Sequence, residues 1–108
     1  MIRSLVTGLA LAGLACVAHA ADGDVAAGRQ KAAACAVCHG PLGLATLPDA
    51  PNLAGQSAIY LAAQLKAYRG GSRQHEVMTL MAKPLSDMDI DNLAAWYSSL
   101  KVQVQPVP

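Results

Sequence analysis

Five consecutive residues, Cys35-Ala36-Val37-Cys38-His39, constrain this chain more tightly than any other feature. A C-x-x-C-H run is the covalent attachment signature of c-type haem. Thiols three positions apart share one face of a helical turn, so Cys35 and Cys38 can both add to vinyl groups along one porphyrin edge. His39 follows directly and can bring its imidazole under the iron as the proximal ligand. Two rival uses of the run remain open from the residues alone. A redox disulfide would need a preceding strand and a βαβ pattern, and neither is visible. A zinc site would need a fourth ligand beside Cys35, Cys38 and His39. Past the first 20 residues, His75 is the one further His or Cys that could supply it.

The first 20 of the 108 residues read as a secretory signal peptide. Arg3 supplies the positive start, Leu5 to Val17 is apolar, and Ala18-His19-Ala20 has the A-x-A form of a cleavage site, cut after Ala20 or Ala21. That apolar run is shorter than a membrane span. Cys16 could instead carry a lipid, but the Leu expected three positions upstream is missing. Cys16 and His19 then have no role in a site. Export agrees with the chemistry, because haem must meet reduced thiols outside the cytoplasm. A periplasmic location is expected, with at most transient membrane association.

One domain over 21–101 is expected, followed by a loose tail over 102–108 that alternates Val and Gln and ends Pro-Val-Pro. This stretch has no Phe, one Trp and three Tyr, and it is rich in Ala, Leu and Val. A chain of fewer than about 90 residues struggles to bury enough apolar area unaided. Burying several hundred Å² of porphyrin would add on the order of 10 kcal/mol as an upper bound. Beyond Arg3, seven basic side chains face seven acidic ones with no basic run, so nucleic acid is not an expected partner.

The pattern is all-helical. Asp24 can cap a first helix that runs through Val25 to the haem motif. Gly28 within it marks a close approach by another helix. Pro41, Gly43, Pro48, Pro51 and Gly55 make 40–55 a loop that wraps the haem. Gln56 or Ser57 opens a second helix with Leu61, Leu65 and Tyr68 on one stripe, stopped at Gly70-Gly71. Ser72 to Leu85 carries Met78 and Met81 and takes no assigned element. Ser86-Asp87-Met88-Asp89 has the form of a capping box, with Leu85 and Ile90 placed as a hydrophobic staple for a last helix through Leu93, Trp96, Tyr97 and Leu100.

This ordered set resembles a single-haem class I cytochrome c over almost its full length past the signal. It is similar to one half of the bacterial di-haem cytochromes of the c-four type. The resemblance rests on Gly28-Arg29-Gln30-Lys31, Cys35 to Gly40, Pro51 to Gln56, Tyr60-Leu61 with Gln64-Leu65, Leu85-Ser86-Asp87 and Leu93 to Tyr97. Those proteins carry two haem motifs and this chain carries one, so one haem c through Cys35 and Cys38 is expected. The resemblance implies three main helices and loops around the haem, with Gly28 of the first helix crossing Trp96 of the last. It implies that the Pro51 carbonyl accepts a hydrogen bond from the free ring nitrogen of His39. It implies Met78 as the distal iron ligand, eight residues before Ser86, with Met81 as fallback and His75 as a remote third option. Met88 sits in the first turn of a capped helix and reads as packing. Arg69, Arg73 and Lys83 are candidates for a haem propionate, each with solvated surface charge as its default. Tyr60 is a haem contact or a packing residue.

The function implied is one-electron transfer with both axial positions filled and no substrate turnover. Its partners would be redox proteins: a dehydrogenase, a membrane complex or a terminal oxidase. Few lysines means little electrostatic steering, so docking would use small apolar residues near the thioether edge, including Ala36, Val37 and Leu42. The competing reading is a haem sensor or peroxidase-like protein with an accessible sixth position.

Overall fold

Asp24 sits in extended backbone and its carboxylate accepts the Ala27 N–H at 2.9 Å, the capping geometry that starts a helix. In the computed structural model, which describes residues 23–108, this opens α1, Val25–Lys31. The expected uninterrupted helix into the haem motif is not formed. A 3-10 turn at Ala32–Ala34 separates α1 from the short α2, Ala36–His39. The Cys35 N–H bonds to the Ala32 carbonyl at 2.9 Å, three residues back rather than four. This tighter winding redirects the chain before the cysteines arrive. Gly40 ends α2 at φ +78°, a conformation closed to residues with a Cβ.

Helix α3, Ala58–Gly70, is capped by the Ser57 hydroxyl and closed by Gly71 in the left-handed conformation. A further helix, α4, Glu76–Ala82, occupies the segment to which the sequence assigned nothing. Its cap is the His75 imidazole, a side chain outside the usual Ser, Thr, Asp and Asn set. The last helix, α5, Asp87–Ser99, begins at a reciprocal capping box in which Asp89 N–H reaches Ser86 Oγ and Ser86 N–H reaches the Asp89 carboxylate, both at 3.0 Å. Among the described residues there is no strand.

The core forms where α1 and α3 meet α5. Ala32, Leu61, Leu93, Ala94, Trp96 and Tyr97 are buried together, and among the described residues the largest fully buried side chains are Ile90 and Leu93. Gly28 permits the α1–α5 crossing. A Cβ there would collide with the Asn92 carbonyl and approach Trp96 Cβ to 2.9 Å. Arg29 then lies over the Trp96 ring at 5.6 Å, and Lys31 pairs with Asp89 at 3.3 Å.

Arg69 fastens the corner between α4 and α5. It donates to the Leu85 carbonyl at 3.0 Å and to the Asp87 carboxylate at 2.6 Å. Arg73 donates to Gln64 at 2.8 Å and stacks on Tyr68 at 4.7 Å. Both arginines considered for a propionate are therefore engaged with other protein groups. After Leu100 the chain has no secondary structure. Val102 nevertheless rests against Gly55, whose N–H bonds to the Tyr97 carbonyl at 2.9 Å. The signal peptide expected at 1–20 lies outside the described residues.

Candidate haem attachment site

His39 is the best defined group of the site. It ends α2, is buried, and its Nδ1 lies 2.8 Å from the Pro51 carbonyl oxygen. A carbonyl oxygen only accepts, so Nδ1 must carry the proton and Nε2 the lone pair. The tautomer is thereby set for metal coordination through Nε2.

The loop that presents Pro51 is clamped to the motif at several points. Thr46 N–H donates to the Cys38 carbonyl at 3.2 Å, and its hydroxyl donates to the Val37 carbonyl at 3.2 Å. Asn52, next to Pro51, accepts the Ala45 N–H on its side-chain oxygen at 2.7 Å. The Gly43 carbonyl accepts from both Leu53 and Ala54. A proline-rich loop thus becomes a fixed bracket around His39.

Cys35 and Cys38 are both free and half-buried. Burial pushes the Cys35 thiol above its ordinary value, against the lowering influence of the Tyr97 hydroxyl and then the Lys31 ammonium. Burial also pushes the Tyr97 phenol upward, with Cys35 adding to the effect. The Tyr97 hydroxyl is buried without a partner of hydrogen-bond geometry, so its influence on Cys35 is that of a nearby dipole. Trp96 Nε1 is likewise buried and unpartnered, and nothing in the structure accounts for it.

Met78 and Met81 lie nearly one turn apart on α4. Met78 is half-buried and Met81 is 39% exposed. Met88 is 70% exposed on α5, so it is not the packing residue expected of it. His75 is exposed and caps α4 through Nδ1. Among the described residues no three His, Cys, Asp or Glu side chains converge as a metal-binding group, so the zinc alternative through His75 finds no donor set.

The residues present fit a haem c. Two unpaired thiols flank the turn that ends in an imidazole of fixed tautomer. Leu44, Leu47 and Tyr60, on the loop and the start of α3, leave large apolar side chains exposed, which an apolar plate can cover. The cap role of His75 and the two arginine ties were missed in the sequence. The hydrogen-bond partners of Arg69 and Arg73 lie 9 to 18 residues away in sequence, whereas the His75 cap is local, to Val77 and Met78, and is hidden only because histidine lies outside the usual capping set.

The family model described as Cytochrome c matches residues 25–101. Cytochrome c-554(548) of Halomonas halodenitrificans is 51% identical over 80 residues, covering 71% of this chain and 96% of that protein. A thiosulfate dehydrogenase electron acceptor of Thiomonas intermedia is 43% identical over 102 residues, covering 93% of this chain and 46% of that protein. The crystal structure of reduced recombinant cytochrome c4 from Pseudomonas stutzeri superposes with a TM-score of 0.71 at 42% identity, covering 76% of this chain and 48% of that one. The chain thus spans nearly all of the first relative and about half the length of the other two.

Proposed function

The chain belongs to the cytochrome c family, and from that premise we propose that it is a periplasmic one-electron carrier holding a single haem c. Cys35 and Cys38 would form the two thioethers, with His39 and Met78 as the axial ligands and Pro51 orienting His39. A haem held in this way supplies a reversible one-electron change at iron. The observation that carries the reading is the His39 Nδ1–H to Pro51 carbonyl bond of 2.8 Å, immediately after two unpaired cysteines. It leaves Nε2 as the coordinating atom and, by drawing on the Nδ1 proton, makes the imidazole a stronger donor.

Met78 is favoured over Met81 because it sits eight residues before the Ser86 cap, the spacing that the family resemblance implies, and because it is the less exposed of the two. A thioether in the sixth position favours the reduced state and closes the site to exogenous ligands. Periplasmic export rests on the apolar segment and A-x-A motif of the first 20 residues. Among the described residues no helix is long and apolar enough to cross a membrane.

Partner docking would use the surface beside the attachment cysteines. Val37 is 76% exposed and Leu42 55%, and the balanced charge provides little long-range steering. Partners of the relatives belong to those proteins, and the donor and acceptor here are proposed only as redox proteins able to approach that apolar edge.

The visible spectrum of the oxidised protein tests the ligand set. A weak long-wavelength band from sulfur–iron coordination is expected, lost in Met78→Ala and kept in Met81→Ala. The ferrous protein should resist carbon monoxide. Rapid binding by the unmodified protein would replace the carrier reading with a sensor or peroxidase-like one.

A further inference from the structure

We propose that His75 is a positioning residue that holds the methionine-bearing helix in place by capping it. The inference rests on the reading that a methionine of α4 is the sixth ligand, and it concerns what keeps that methionine where it is.

Helix α4 has seven residues, well below the length at which a helix sustains itself in water. Ala82 is its one fully buried residue, with Met78 and Thr79 half-buried, so packing holds only one side of it. Its stability depends on its two ends. The C-terminal end runs into Pro84, and the Leu85 carbonyl just beyond is held by Arg69 of α3 at 3.0 Å. The N-terminal end depends on His75.

Nδ1 of His75 accepts the N–H groups of Val77 and Met78, each at 3.2 Å. Both partners are donors, so Nδ1 carries the lone pair. In return the His75 N–H donates to Thr79 Oγ1 at 3.0 Å, and the Thr79 N–H donates to the His75 carbonyl at 3.0 Å. Ring, backbone and threonine form a closed reciprocal cap of the kind usually built from Ser and Glu. One of the two donors bound by the imidazole is the peptide N–H of Met78 itself. The backbone from which that thioether projects is therefore tied directly to a side chain outside the helix. Without this tie, two N–H groups of the first turn return to water and the turn is free to fray.

The test uses the haem-loaded protein and three variants, His75→Ala, His75→Asn and Thr79→Val. Two quantities are read: the temperature at which the sulfur–iron band disappears, and the rate of carbon monoxide association with the ferrous form. Loss of a helix cap is expected to raise the open population of α4 roughly tenfold. His75→Ala should therefore lose the band well before its helical circular dichroism melts, and it should bind carbon monoxide roughly tenfold faster. Asn is a strong cap, so His75→Asn should return both readings to near the parent values. Thr79→Val, which keeps the imidazole and removes only the return bond, should fall between. Parent-like behaviour of His75→Ala overturns the inference while leaving methionine ligation standing. If His75→Ala does not accumulate as a coloured protein, an unchanged carbon monoxide rate in Thr79→Val overturns it instead. A parent protein that lacks the sulfur–iron band overturns the ligand reading, and this inference with it.

Discussion

Asn52 shows how one side chain outside the haem motif can govern it. Its carboxamide oxygen holds the Ala45 N–H at 2.7 Å, and the residue before it supplies the carbonyl that fixes the His39 tautomer. Asn52→Ala should cost the haem-loaded protein about 1 kcal/mol in denaturant unfolding, and exchange of the His39 Nδ1 proton should accelerate. Unchanged exchange would mean that the loop holds Pro51 without this tie. The family was legible because its C-x-x-C-H motif has fixed residue types at fixed spacing. His75 was not, since a histidine in an unassigned segment suggests a metal ligand or a surface residue before it suggests a cap. Arg69 was illegible for a related reason: its partners Leu85 and Asp87 are 16 and 18 residues away.

Among the elements, the start of α5 was the most readable. Ser86 and Asp89 form the reciprocal box that the capping pattern implied, Ile90 is fully buried, and Leu85 is half-buried against the core cluster. This end also carries a pH dependence. Asp87 lies below the usual carboxylate range chiefly through its hydrogen bond from Arg69, and Asp89 does so chiefly through the Ser86 N–H. A carboxyl depressed in the folded state stabilises the fold fully above its unfolded value of about 3.9, and that contribution fades as pH falls through the lower folded value. The haem-loaded protein should therefore lose stability on acidification below about pH 4. Asp87→Asn and Asp89→Asn should each flatten that dependence in thermal melts taken across the acid range. Gly28 sets the α1–α5 crossing, and Gly28→Ala should destabilise by roughly 1–3 kcal/mol, because the new methyl would strike the Asn92 backbone. A melting temperature equal to the parent's would show that the two helices can separate without cost. The break between α1 and α2 escaped the sequence reading, since Ala32-Ala33-Ala34 favours continued helix and only tertiary placement of Cys35 calls for a 3-10 turn.

At the scale of the whole molecule, the protein's own core is thin. Among the described residues the buried set is small and includes Ala32, Ala82 and Ala94, with Ile90 and Leu93 the largest side chains fully removed from water. Leu44, Leu47 and Tyr60 remain substantially exposed. A chain of this size needs a further source of burial, which the proposed haem would supply. The unloaded chain should lack a cooperative thermal transition at temperatures where the loaded protein is folded, read by circular dichroism on the Cys35→Ser/Cys38→Ser variant. Charge balance beyond Arg3 predicts a shallow dependence of partner reaction rate on ionic strength; a steep one would point to a charged docking surface instead. The helical class was legible from periodicity and caps, whereas the bracket of hydrogen bonds around His39 needed the folded loop. The central claim is that one haem is bonded covalently through both cysteines of a single chain, and acid–acetone extraction of the exported protein followed by mass measurement tests it most directly. The protein should keep its colour and the mass of one haem, and Cys35→Ser/Cys38→Ser should keep neither. A colourless parent chain with both thiols free, or haem that passes entirely into the acetone, would contradict the claim.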